Sequence, residues 1–393
     1  MLDKNRPTTF RGYRRPDGTV GVRNYVAVIS TVWCANTVTG DIAARVRGAV
    51  PITHSQGCPG VPIDLEMVSR TLIGLGTNPN VYAVVFVGLG CESVGTKQIL
   101  EMVEQSGRPV EFVCVQDSGG TVQATARGIA AAARFAQFAS ELNREECSIA
   151  ELVVGTKCGS SDSTSGPSAN RVVGFVADRI IEVGGAFIIG EICDLLGTEN
   201  ILADRAVSPE IAKKIFTAVG DYIERGRSLG LDIVGSNVTY GNKKGGITTL
   251  VEKSLGAVSK CGTAKVTNVL DYGDRVSEHG LYIIKGPARS LELLTGQAAA
   301  GAQLNLWTTG RGTPGGNPLL PVIKITGNAN TWNNQETNMD FDASGIIAGT
   351  VSVEEYGKDL FAEMVRVASG KLTKSEILKC DQLMDIEGYG HLI

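Results

Sequence analysis

The sequence predicts an α/β protein built from two Rossmann-like lobes, each a mostly parallel sheet covered by helices. Three observations carry that prediction. Short β-branched runs alternate with amphipathic segments, the runs are apolar at both odd and even positions, and glycines gather where the runs end. Alternating strands and helices are the signature of a doubly wound sheet, and strands apolar on both faces are strands with helices on both sides. The 49 glycines among 393 residues exceed the usual share of about 7% and suit tight strand-to-helix turns.

In the first lobe the runs at 24–34, 50–55, 81–90 and 109–115 read as strands, and 36–49, 62–76, 95–106 and 120–142 as the helices between them. The charged segment 141–151, "ELNREECSIAE", marks a boundary, giving lobes over 1–145 and 146–393. The second lobe repeats the pattern. Strands are expected at 151–158, 186–191, 264–271, 281–286, 302–310 and 321–327, with helices over 169–184, 209–229, 245–258 and 288–300. A chain of this length exceeds one ordinary core, which agrees with two lobes.

Composition narrows the function. The chain carries 37 basic and 41 acidic residues, a net charge of −4, which argues against a nucleic-acid footprint or a polybasic membrane patch. The apolar stretch 25–38 falls short of the ~20 residues of a membrane span. The polar first eighteen residues do not read as a signal peptide, so a cytoplasmic protein is expected. Nine cysteines without the spacing of a disulfide framework are expected to be free thiols or metal ligands.

Ligands of open parallel sheets bind outside the carboxyl ends of the strands, where helix N-termini leave backbone N–H groups free. Those ends carry Cys34 with Asn36, His54 with Cys58, Cys91 with Glu92, Cys158 with Ser160 and Asp162, Glu191, and Thr309 with Arg311. A single cysteine there is ordinarily a small hydrophobe, and His54 alone is ordinarily a satisfied histidine. The coincidence of position is what suggests a site. The stretch "GTKCGSSDSTSG" (155–166) lacks the ending of a Walker loop and the spacing of a dinucleotide fingerprint. Its serines and Asp162 suit a cap for the helix beginning near Ser168. No well-placed histidine follows Cys158 to make it an acyl-transfer nucleophile, since His279 and His391 are the only others. No C-x-x-C pair marks structural zinc either. A mixed thiolate, imidazole and carboxylate site suited to iron or another first-row divalent metal remains.

Two further stretches resist a purely structural reading. Residues 237–262 gather Asn237, Asn242, Lys253 and Lys260 around glycines, and 308–316 set Arg311 between glycines at a strand end. Arg311 suits a carboxylate, and Lys253 would be a base if buried. Lys243 and Lys244 read as a solvated turn.

Taken in order, "GYRRPDGTVGVRNYV", "HSQGC", "GLGCE", "KCGSSDSTSG", "GNKKGGITTLVEKSLG", "TTGRGTP" and "DFDASGIIAG" span nearly the whole chain. Together they resemble the altronate/galactarate dehydratase family of sugar-acid dehydratases. The resemblance implies loss of water from an aldonate or aldarate to give a 2-keto-3-deoxy acid, with Fe2+ as cofactor. Mn2+ or an iron–sulfur cluster on three rim thiolates are the alternatives. Relatives release sulfite from sulfolactate. Full-length members carry a small N-terminal SAF domain, so a chain opening on "GYRRPDG" looks like a large subunit. The expected partners are then a separately encoded small SAF-domain subunit and further copies of this chain.

On this reading His54, Cys58, Cys91, Cys158 and Glu191 lie near the metal, with Glu92 as a further ligand or catalytic group. His54 and Lys253 are the candidate bases. Ser160, Asp162, Ser165, Asn170, Asn237, Asn242 and Arg311 would bind substrate. Trp33, Arg171 and Asp194 depart from what is common in the family and bear on which substrate fits. A noncatalytic sugar-acid-binding subunit is the alternative from another class, although a binder needs no thiolates. A nicotinamide-dependent oxidoreductase lacks its glycine fingerprint.

Overall fold

A computed structural model describes residues 8–389. It opens with strands β1 (Thr9–Arg14) and β2 (Val20–Gly21), an antiparallel pair. The first lobe follows as β3 (Tyr25–Ser30), α1 (Asn36–Arg45), β4 (Ala49–Ile52), α2 (Pro62–Gly76), β5 (Val81–Gly88), α3 (Thr96–Gln105), β6 (Val110–Cys114) and α4 (Thr121–Ser140). Its four strands are parallel in the order β4-β3-β5-β6. Strand β7 (Glu145–Ser148) then pairs antiparallel with β1. The ribbon has no period-2 signature in the sequence, because its strands are short and interrupted by charge. Phe10, Val20, Val22 and Cys147 carry it into the core of the second lobe.

The second lobe runs β8 (Val153–Gly159), α5 (Arg171–Glu182), β9 (Ala186–Ile189), α6 (Glu199–Ala203), α7 (Pro209–Ser228), α8 (Ile233–Ser236), α9 (Tyr240–Lys244) and α10 (Leu250–Val258). It continues with β10 (Val266–Leu270), β11 (Gly280–Ile284), α11 (Ser290–Ala299), β12 (Leu304–Thr309), β13 (Val322–Thr326), α12 (Ala329–Asn334), β14 (Phe341–Asp342), α13 (Val353–Ala368) and α14 (Lys374–Ile377). Seven parallel strands lie in the order β10-β11-β9-β8-β12-β13-β14. The helix expected over 245–258 starts instead at Leu250, behind an N-cap in which the Thr249 hydroxyl accepts from the Glu252 N–H.

Burial explains how the layers stack. One apolar cluster joins α1 and α4 to the outer face of the first sheet. A second, containing Ile29, Leu72, Phe86, Ile188, Tyr282 and Leu293, fills the space between the two sheets. There α2 meets α11 so closely that a Cβ on Gly74 would lie 2.5 Å from the Ala299 carbonyl oxygen. A third packs α5, α7 and α13 on the far face of the second sheet. No described helix is long and apolar enough to cross a membrane.

The segment after α14 returns across the first lobe. Ser55 N and Oγ donate to Asp385 Oδ1 at 2.9 Å each, Tyr389 N donates to Asp64 Oδ1 at 2.7 Å, and Arg225 Nη2 donates to the Gly388 carbonyl at 3.1 Å. Burial pushes the Glu387 carboxyl up to about 7 from 4.5, against the pull of Arg225. The folded chain therefore holds this proton more tightly than the unfolded chain, and stability is lost as pH rises through that interval. Glu387→Gln should raise the melting temperature at pH 8 by a few degrees, at most about 3 kcal/mol, and leave it unchanged near pH 4. Thermal melts at the two pH values check this; equal shifts at both would contradict it.

Candidate active site

Strand β8 lies between β9, its successor in sequence, and β12, which joins much later. Chain order reverses there, so the loops diverge and leave a crevice at the strand ends. Two of the three non-glycine residues with positive φ among those described border it: Ser160 (φ 51) and Glu191 (φ 66). Each costs of order 1–3 kcal/mol and persists only where its surroundings enforce it. The Arg311 N–H pins Ser160 through its carbonyl at 3.1 Å. The turn at Glu191 brings its carboxylate back over β8, where Oε2 accepts from the Cys158 N–H at 3.1 Å.

Cys158, Glu191 and Asp194 each offer a ligand atom within 4.8 Å of the others, and all three are buried. The Cys158 thiol donates to Asp194 Oδ2 at 3.0 Å and lies 3.8 Å from Glu191 Oε2. The other carboxylate oxygens face lysines. Lys157 Nζ is 3.1 Å from Glu191 Oε1, and Lys253 Nζ is 3.3 Å from Asp194 Oδ1. Lys157 is held by the Ser290 hydroxyl at 2.6 Å and by the Trp307 ring, 4.7 Å from its centroid. Lys253 also donates to the Asn237 carbonyl and Oδ1 at 3.0 Å each.

The electrostatics follow from burial and this packing of opposite charges. Burial, with Asp194 beside it, pushes the Cys158 thiol up to about 12. Burial alone would lower Lys253, but Asp194 and the thiols of Cys193 and Cys158 outweigh it and its pKa is raised. Lys260, fully buried, is raised in the same way by Cys158, Asp194 and Glu191. Burial raises Glu191 although Lys157 opposes it, whereas Lys253 and Lys260 overcome burial at Asp194 and lower it. Three ammonium groups thus surround two carboxyls and a neutral thiol, and the crevice is biased toward anions.

The crevice is a cavity of about 240 Å³, and Cys158, Ser160, Glu191, Asn237, Asn242, Lys253 and Arg311 all line it. Seven residues expected from sequence therefore meet. Asn242 is fixed by its Nδ2 bond to the Ser161 carbonyl at 2.9 Å. The exposed Arg311 guanidinium has no hydrogen-bond partner among the described residues. Asp162, Ser165 and Asn170 border a neighbouring cavity of about 290 Å³ that shares Ser161 and Lys253 with the first. Asp162 and Ser165 spend their polar atoms on each other, on Thr164 and on Asn328, so they shape the turn rather than bind substrate.

The expected metal neighbourhood divides. His54, Cys58, Cys91 and Glu92 stand at the strand ends of the first sheet and line neither cavity. Sequence reading merges the strand ends into one rim, but two sheets have two rims. His54 is neither ligand nor base. Its Nδ1 accepts from the Gln56 N–H at 3.1 Å and its Nε2 contacts the Ser30 carbonyl at 2.8 Å, so Nε2 carries the proton and no lone pair is free. Burial lowers its pKa and keeps the ring neutral. Glu92 joins loops, accepting from Thr31 Oγ1 at 2.9 Å and from the Gly90 N–H at 2.7 Å.

Lys157 was not singled out in the sequence, and Asp194 and Lys260 were named there without a place in the metal site. A lysine inside the apolar run "ELVVGTKC" was the available signal for Lys157, because an interior strand lysine needs a buried partner.

Comparison with known proteins gives the family. Residues 149–388 match the family model for the C-terminal region of D-galactarate/altronate dehydratase, and residues 12–140 match that for the second domain of D-galactarate dehydratase/altronate hydrolase. The (2R)-sulfolactate sulfo-lyase subunit beta of Chromohalobacter salexigens is 35% identical over 376 residues, covering 94% of this chain and 95% of that one. Altronate dehydratase of Bacillus subtilis is 34% identical over 385 residues, covering 95% of this chain and 76% of the relative. Galactarate dehydratase (L-threo-forming) of Escherichia coli is 33% identical over 387 residues, covering 92% and 73%.

Proposed function

The chain belongs to the D-galactarate/altronate dehydratase family, and from that premise we propose that it removes water from an aldonate or aldarate to give a 2-keto-3-deoxy acid. The observation that carries this reading is the buried Cys158, Glu191 and Asp194 cluster with three lysines at the switch point of the second sheet. The chemistry needs such a site, because taking the C2 proton beside a carboxylate builds negative charge on the substrate.

The donor set fits a ferrous ion. Lys157 and Lys253 each take one carboxylate oxygen, and the remaining Glu191 Oε2 and Asp194 Oδ2 converge on the Cys158 sulfur. Those three atoms would hold Fe2+, or Mn2+ in its place, whose Lewis acidity would stabilise the developing charge. Arg311, which lines the crevice, would clamp the substrate carboxylate. Lys253, kept as the ammonium by Asp194, serves better as donor of a proton to the departing C3 hydroxyl than as the base. Replacing Arg311 with alanine should raise KM about 10- to 100-fold with a smaller change in kcat, the loss of one charge-assisted contact. Steady-state kinetics check this; an unchanged KM would remove Arg311 from the site.

Release of sulfite from a sulfolactate is the second reading, favoured by the match to the sulfo-lyase subunit across nearly both chains. That relative is named as a subunit, which supports a separately encoded small partner for this chain. A cytoplasmic location is part of the same proposal. The test is an anaerobic incubation with ferrous iron, with and without the small subunit, against altronate, galactarate and 2-sulfolactate. Oxo acid without sulfite supports the dehydratase, and pyruvate with equimolar sulfite supports the second reading. Neither product from any substrate, with iron bound and partner present, overturns both.

A further inference from the structure

Three thiols that follow strands of the first sheet lie outside the crevice and form a group of their own. Cys34, Cys58 and Cys91 follow β3, β4 and β5, three neighbouring strands of the first sheet. The loops that carry them are stitched together. Trp33 N donates to the Gln56 carbonyl at 2.9 Å, Ser93 N to the Gly57 carbonyl at 3.0 Å, and Thr31 Oγ1 to Glu92 Oε1 at 2.9 Å. Gly57 makes the closure possible, with φ +101 and the Thr31 carbonyl oxygen 2.3 Å from where a Cβ would sit. Each stitch lies within two residues of a cysteine, so the loops deliver three sulfurs to one mouth. Cys58 feels both neighbours: its pKa is raised by burial first and then by Cys34 and Cys91.

Packing accounts for only one of these thiols in part, since Cys58 leans on the apolar cluster under α1 and α4 while Cys34 and Cys91 do not. A structural cysteine is buried, yet Cys34 and Cys91 are exposed and Cys58 is half-buried. They form no disulfide and line neither cavity of the second lobe.

We propose that Cys34, Cys58 and Cys91 are the protein ligands of an iron–sulfur cluster, a second metal centre apart from the Cys158, Glu191 and Asp194 cluster. Thiolates select soft centres, chiefly such clusters, zinc and copper(I). A single tetrahedral ion would draw sulfurs to about 3.8 Å of one another and needs a fourth ligand. The trio is not gathered as tightly as the Cys158 cluster, whose ligand atoms all lie within 4.8 Å. His54, four residues before Cys58, has both ring nitrogens committed and offers no fourth ligand. A cluster tolerates both features, because its thiolates sit on separate irons and one iron can stay open to solvent or a small ligand. This assignment does not rest on the dehydratase reading.

The test is anaerobic reconstitution of the full chain with iron and sulfide, followed by assay of bound iron, acid-labile sulfide and visible absorbance. The expected result is about four sulfides per chain, unchanged in Cys158→Ser and Cys380→Ser and lost at least tenfold in the combined Cys34→Ser, Cys58→Ser and Cys91→Ser variant. Absence of labile sulfide, uptake of zinc alone, or full sulfide in the combined variant would overturn the assignment. A readout free of mutation guards against misfolding. In the reconstituted wild-type chain, alkylation should be blocked at Cys34, Cys58 and Cys91 while Cys380 labels as before; equal labelling of all four would also overturn it.

Discussion

Asp194→Asn should reduce turnover by about a thousandfold or more, ~4 kcal/mol in the barrier, and abolish tight iron binding. The amide keeps the size of the side chain but loses its charge. Asp194 is the carboxyl that the lysines hold ionised, the acceptor of the Cys158 thiol at 3.0 Å and the partner of Lys253 at 3.3 Å. Without it Lys253 and Lys260 lose a shared anion, and the amide's single oxygen can accept from Lys253 or from the Cys158 thiol but not replace both carboxylate oxygens. Asp194→Glu restores the charge and should recover part of both properties, which a merely structural residue would not require. Anaerobic iron titration and single-turnover kinetics on both variants check this, with a melt to confirm folding. Retention of wild-type iron affinity in Asp194→Asn would remove the residue from the metal site.

The largest effect on stability should come from Arg23→Ala, a loss of about 3–5 kcal/mol. Arg23 Nε and Nη2 grip Glu376 at 2.7 and 2.9 Å, and both side chains are about 6% exposed. The remaining guanidinium hydrogens reach the carbonyls of Val22, Val367 and Lys371 at 2.9 to 3.0 Å. One side chain thus ties the entry of the first lobe to α13 and α14 at the end of the second. Removing it leaves the buried Glu376 carboxylate without its cation, held only by Tyr25 and Thr373, and leaves three carbonyls without this donor. Arg23→Lys should restore only part of the loss, since an ammonium cannot make the bidentate grip. Urea unfolding checks this; a change under 1 kcal/mol would show that the tie is solvated.

The same residue shows that a motif can mark a family through the fold it holds together. "GYRRPDGTVGVRN" marks the family, yet its charged side chains are structural. Arg15 donates to the carbonyls of Pro79 and Arg23, and Asp17 pairs with the buried Arg108 at 2.7 Å. The two parallel sheets were legible because strands such as Val81–Gly88 are apolar on both faces. The ribbon of β1, β2 and β7 was not, because "TFRGYR" and "EECS" mix charge with apolar residues and look like a tail and a linker. Helix α13 carried a signal that went unused: Ser352 and Glu355 form a capping box at its start.

At the site, Cys158, Glu191 and Arg311 were legible from their place at strand ends, and Lys253 from the glycine-rich stretch that carries it into α10. Spatial grouping was not, since His54, Cys58 and Cys91 sit at strand ends of a different sheet. Lys260 was noticed among its glycines, but only the fold shows that the turn after α10 buries it against Cys158 and Asp194. Asp194 follows Glu191 by three residues, and the left-handed turn at Glu191 is what folds both carboxyls onto one thiol. No periodicity in the sequence encodes that turn.

The central claim is that Cys158, Glu191 and Asp194 hold the reaction's metal. Anomalous diffraction at the iron edge from crystals grown anaerobically with ferrous iron tests it most directly. The account predicts a peak bounded by Cys158 Sγ, Glu191 Oε2 and Asp194 Oδ2. Iron bound to the protein with no peak between those three atoms would contradict it.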